Sequence, residues 1–168
     1  MHFHLQKWKV SGKLSDMETT ESALRAAERA AAAPFIEYPA TPWWYPLLVA
    51  GFMTAMPGGP VLIRHGHTFL GFGVQALAVG ALFAFLTVYR KKWGAWPRMA
   101  AAPPEIKEAY RWYALTFAAG IFCCIGAWVA GGWQLGLPVI FVATFVLVWV
   151  YERTVYPRAA RRVRERLA

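Results

Sequence analysis

Few residues in this chain have types and spacings suited to chemistry. Arg64, His65 and His67 share one short polar stretch, and His2 and His4 form a second close pair. Cys123 and Cys124 are adjacent thiols inside an apolar run, and Gln75 is a strongly polar side chain well inside another. The histidine pairs could ligate zinc, which takes four protein ligands, or three and a water. Neither pair has a nearby Cys, Asp or Glu to complete a set on the outer side. With four spans oriented by the positive-inside rule, the two pairs fall on opposite faces of a membrane, so they cannot share an ion. We assign no metal site, and His65 and His67 read as a polar external loop. Adjacent cysteines cannot supply the distant pairs of a disulfide framework. They read as small, buried, reduced side chains.

The stretch Leu62-Ile63-Arg64-His65-Gly66-His67-Thr68 resembles the Arg-His-Gly signature of the histidine phosphatases. That resemblance would imply a phosphorylated His65 after a β-strand in a soluble α/β domain, with further His and Arg downstream to hold phosphate. It covers seven residues, no histidine follows His67, and nearly everything downstream is apolar. A motif needs its structural context, and this one lacks it.

The elements that must position these residues follow from composition. Apolar residues make up 58% of the 168-residue chain and charged residues 16%, well below the roughly 25% of soluble domains. The charges gather at the N-terminus, in one central stretch and at the C-terminus, with long uncharged segments between. The net charge of +9 needs no nucleic acid, because basic residues collect on the cytoplasmic side of membrane proteins. No nucleic-acid-binding module accompanies it. A cleavable signal peptide is not expected, since the first apolar run begins near Pro42, behind a long polar region.

Residues 1–16 show no clear pattern, and Met17 opens a more ordinary helical lead-in. We expect Met17 to be the biological start, which N-terminal mass analysis showing His2 or Phe3 would reject. Residues 18–33 are Ala-rich, with capping-box spacing at Ser15 and Glu18 and an i,i+4 pair at Glu21 and Arg25. Pro34, Pro39 and Pro42 should stop this helix. A first membrane segment follows over 42–56, where Pro57-Gly58-Gly59-Pro60 is expected to break the helix, unless 61–63 complete the span. Further spans are expected over 68–89, 112–131 and 133–151. The last two meet at Gly131-Gly132-Trp133 and must form a hairpin.

Seventeen of the 18 Lys and Arg residues lie in the N-terminal region, the 90–111 connection and the tail, and Arg64 alone lies in the other two connections. With four spans, all three basic regions share one side, and the positive-inside rule makes it cytoplasmic. Small residues suggest packing. Gly73, Ala76, Gly80 and Ala84 share one face of the second span, and Ala119, Cys123 and Ala127 form a ridge on the third, with Gly126 and Ala130 beside it. We expect spans two and three to pack centrally and the bulkier fourth to face lipid or a partner.

No ionisable residue lies deep in any expected span, which is where ion and proton pathways usually show themselves. The chain lacks the embedded Glu of small multidrug exporters, the intramembrane His of four-helix haem proteins and the Cys-x-x-Cys of quinone-linked thiol oxidases. Gln75 is expected to make an interhelical hydrogen bond. In the tail, Val155, Ala159, Val163 and Leu167 recur every four residues among the arginines. This could be a cationic amphipathic helix lying on anionic lipid, as could the central connection, with Trp93 and Trp96 beside Lys91, Lys92 and Arg98. The simpler reading is that these charges only set topology.

The sequence therefore predicts an all-α integral membrane protein with four transmembrane helices in two antiparallel hairpins. Residues 1–41 form a cytoplasmic segment with a short helix, 42–152 the transmembrane domain and 153–168 a basic cytoplasmic tail. It offers no catalytic, cofactor-binding or metal-binding set. The leading functional expectation is an accessory, assembly or stabilising subunit of a larger membrane complex, with membrane protein partners or self-association and anionic lipid at the cytoplasmic face. The alternative is a small homo-oligomeric transporter or channel, suggested by the Gly/Ala-rich spans and the Pro57–Pro60 segment. A lipid-acting enzyme would have to use the Arg64–His67 loop.

Overall fold

The computed structural model describes residues 22–37, 41–93 and 99–168. The Met17 start, the Ser15 and Glu18 capping spacing, Glu21, Pro39, His2, His4, Trp96 and Arg98 lie outside them. Every regular element among the described residues is helical. They are α1 (22–36), α2 (Tyr45–Arg64), α3 (Thr68–Trp93), a 3-10 turn (Met99–Ala101), α4 (Pro104–Val150), a π-turn (Tyr151–Val155) and α5 (Tyr156–Leu167). Three helical stretches, beginning at Tyr45, Thr68 and Pro104, are long and apolar enough to cross a membrane.

α2 corrects the expected break. It runs unbroken through Pro57 and Pro60. Each proline removes one N–H from the helical ladder, but the freed groups of a membrane helix can be satisfied by neighbouring helices. Pro60 frees the carbonyl of Met56, and Gln75 Nε2 on α3 donates to that oxygen at 3.4 Å. The helices come this close because Gly59 has no side chain. A Cβ there would stand 2.5 Å from Gln75 Cγ, and one on Gly71 would stand 2.7 Å from the Gly59 carbonyl oxygen.

α4 breaks at Gly132, whose φ of 61° and ψ of −156° lie in a region only glycine adopts readily. Its two arms turn back on each other. Tyr113 and Tyr151 have ring centroids 4.5 Å apart, whereas 38 residues of straight helix would separate them by roughly 57 Å. On the inner sides of this hairpin, Trp128 packs over Gly136.

The packing order also differs from the sequence expectation. α2 is central, touching both α3 and α4. α3 is peripheral, and 6% of its most apolar stretch is buried. Gly73, Ala76, Gly80 and Ala84 are exposed, as are Ala119, Cys123, Gly126 and Ala130 on the first arm of α4. The second arm, expected to face outward, buries Gly136, Thr144 and Val148. The contacts that decide this order run through Gly58, Gly59 and Gly71, glycines that the small-residue stripes did not include.

A compact core exists at the basic end. α1 contributes Ala32 and Phe35, the start of α4 Ile106 and Ala109, and α5 Ala159, Ala160 and Val163, all buried. Pro157 cannot donate to the Arg153 carbonyl, and its ring pushes that carbonyl away. The π-turn absorbs this, with the Tyr156 N–H donating to the Tyr151 oxygen. One extra residue per turn rotates α5 by about 100° from the line of α4. The tail is a cationic amphipathic helix as expected, but its apolar side packs against α1 and the start of α4. Arg29 donates to the Leu167 carbonyl at 2.8 Å and Arg164 to that of Ile36 at 2.9 Å. Arg166 reaches Glu105 at 2.7 Å. Burial pushes the Glu105 carboxyl up, but this bond and the Arg166 charge outweigh it and hold the carboxyl below its ordinary range.

Candidate functional site

The sequence candidates do not converge on one chemical site. Arg64 ends α2, and His65, Gly66 and His67 form the turn to α3, with Gly66 at φ 85°. The His65 ring lies 5.3 Å from Trp133, which follows the Gly132 turn, so the two turns sit side by side at the end opposite the basic core. No group of three or more His, Cys, Asp or Glu able to hold a metal occurs among the described residues. Cys123 is exposed and Cys124 half-buried, both as free thiols, so the expectation of two buried cysteines is corrected. Gln75 makes its interhelical bond, but to backbone.

The structure gathers a cluster that residue spacing does not show. Glu152, in the π-turn, is drawn into the junction between the membrane helices and the basic core. Thr41 Oγ1, just before α2, donates to its Oε2. Glu152 is close enough to act electrostatically on Tyr45, Tyr89, Tyr110, Tyr113, Tyr151 and Tyr156, which come from α2, α3, α4, the π-turn and α5. Tyr113, Tyr110 and Tyr156 surround the Tyr151 ring at 4.5, 5.8 and 6.1 Å. Tyr156 Oη donates to the Phe35 carbonyl at 2.8 Å, tying α5 to α1. The Tyr151 hydroxyl is buried.

Burial is the largest influence on Glu152 and pushes its carboxyl above the ordinary value, against the opposing hydrogen bond from Thr41. Burial likewise raises Tyr156, with the Tyr110 and Glu152 charges adding to it. The arrangement can hold a proton on Glu152 and can lock five elements together. It presents no nucleophile beside a base and no metal-ligand set. The missed signal was the acidic residue directly after Tyr151.

The fold defines the class: an all-helical chain with three helices long and apolar enough to cross a membrane. No family model, curated protein or solved structure matches it.

Proposed function

We propose that this protein is an accessory or stabilising subunit of a larger membrane complex, and that the α4 hairpin gives it four spans with both ends on the cytoplasmic side. The observation that carries this reading is the contrast between its two ends. The basic end has a packed core, while the membrane helices leave most of their apolar surface uncovered. Phe69 is 96% exposed and Val129 82%. Lipid can cover bulky side chains, but small residues on open faces are what membrane helices use to approach one another. Positions 73 and 80 on α3, and 120 and 126 on α4, have open space where a Cβ would stand. Exposed arginines on α5 would meet anionic headgroups of the inner leaflet.

The transporter alternative loses one support, because α2 is unbroken. The reading is tested by extracting the protein from native membranes in mild detergent and identifying what co-purifies by mass spectrometry. Partners in fixed stoichiometry are expected. Recovery alone, at full abundance, would contradict it, and recovery only with copies of itself would favour the homo-oligomer.

A further inference from the structure

A cavity of about 680 Å³ lies between α2, α3 and the second arm of α4. Its floor is one stripe of α2, where Gly51, Ala55, Gly58 and Leu62 recur at helical spacing. Leu137 and Phe141 form one wall and Val74 of α3 the other. His65, His67 and Trp133 line its end at the two outer turns. From Gly51 to His65 is 14 residues of α2, or roughly 21 Å. One leaflet of hydrocarbon is about 15 Å deep, half of the roughly 30 Å core.

Shape and chemistry decide what fits. Along the walls a polar solute would find only the Thr54 hydroxyl, which donates to the Ala50 carbonyl at 2.8 Å and is left able only to accept. Apart from Thr54, the polar side chains of the lining, those of His65, His67 and Trp133, are at the mouth, and Arg64, the residue before His65, ends α2 there. An apolar groove roughly 21 Å long with most of its polar groups at one end is the profile of an acyl chain with its headgroup. We propose that this cavity is a binding site for one acyl chain of an anionic phospholipid, whose phosphate meets His65, His67 and Arg64 at the outer turns. The inference rests on the membrane reading of the helices and not on the subunit role.

The test uses the full chain in phosphatidylcholine vesicles containing a trace of phosphatidylglycerol with a diazirine in its acyl chain. After irradiation, adducts are mapped by mass spectrometry. They are expected on the Gly51–Leu62 stripe, Leu137 and Phe141, and unlabelled phosphatidylglycerol should displace them far better than added phosphatidylcholine. Gly51→Leu places its side chain where nothing stands within 4 Å of the new Cβ, so it should fill the cavity, leave thermal stability unchanged and lower groove adducts about tenfold, the effect of some 1.4 kcal/mol. If that variant misfolds, Ala55→Leu serves the same purpose. Arg64→Gln should reduce the preference for phosphatidylglycerol. Adducts spread evenly over outward residues such as Phe69, Phe83, Phe122 and Val129 would overturn the site, since that is ordinary surrounding lipid. Undiminished labelling of folded cavity-filling variants would overturn it too, and equal competition by phosphatidylcholine would overturn the anionic head.

Discussion

The side-chain amide of Gln75 donates to the Met56 carbonyl oxygen, the acceptor that Pro60 leaves without its helical N–H. A gap in the ladder of one helix is thus filled by a polar side chain of the next. At 3.4 Å the bond is long, and interhelical hydrogen bonds in membranes average about 0.6 kcal/mol. Gln75→Leu should therefore destabilise the protein by about 0.5–1.5 kcal/mol in mixed-micelle unfolding. Pro60→Ala restores the missing donor, and in that background the same change should matter less. Equal costs in both backgrounds would separate Gln75 from Pro60.

Glycines at the α2–α3 contact should be far less replaceable than those on the open face. Gly71→Ala forces a methyl against the backbone oxygen of Gly59, which cannot rotate away. A loss of about 1–3 kcal/mol is expected, as for overpacked cores. Gly59→Ala meets the flexible Gln75 side chain and should cost less, while displacing its bond to Met56. Gly73→Ala enters open space and should leave the isolated protein at least as stable as before, because alanine is the better helix former. Thermal unfolding in detergent ranks the three, and a Gly73→Ala loss matching that of Gly71→Ala would refute the packing order.

Glu152 should make the basic end pH-sensitive. Its carboxyl is raised by burial, so folding favours the protonated form. That contribution is full below the ordinary carboxyl value of 4.5 and is lost as pH rises through the higher folded value. Glu152→Gln keeps an acceptor for Thr41 and carries no charge. It should match the parent at low pH and be more stable above the raised value. Unfolding midpoints across the acid-to-neutral range check this, and parallel curves for the two proteins would contradict it.

Much of this fold is legible in the sequence, but unevenly. The turn at Gly131-Gly132 announced itself by glycine between two apolar runs. The Pro57–Pro60 segment misled because proline and glycine mark breaks by rules drawn largely from water. In an apolar setting a neighbouring helix can satisfy the freed carbonyl, and glycine serves close approach. The small-residue stripes on α3 and α4 misled in a related way. Several residues on these stripes are exposed, and such stripes identify faces suited to close contact without saying whether the partner belongs to the same chain. The Glu152 cluster was hidden because its six tyrosines are scattered over more than a hundred positions. The π-turn that presents Glu152 depends on Pro157, five residues further on.

The hairpin at Gly132 puts α1, the start of α4 and α5 on one side. Cysteine-scanning accessibility tests it directly. With Cys123 and Cys124 replaced by Ser, single cysteines at His67, Glu108, Gln134 and Ala168 are probed on intact cells with a membrane-impermeant maleimide. Labelling is expected at 67 and 134 without permeabilisation, and at 108 and 168 only after it. Labelling of 134 from the same side as 168 would mean that the second arm of α4 does not cross, and would contradict it.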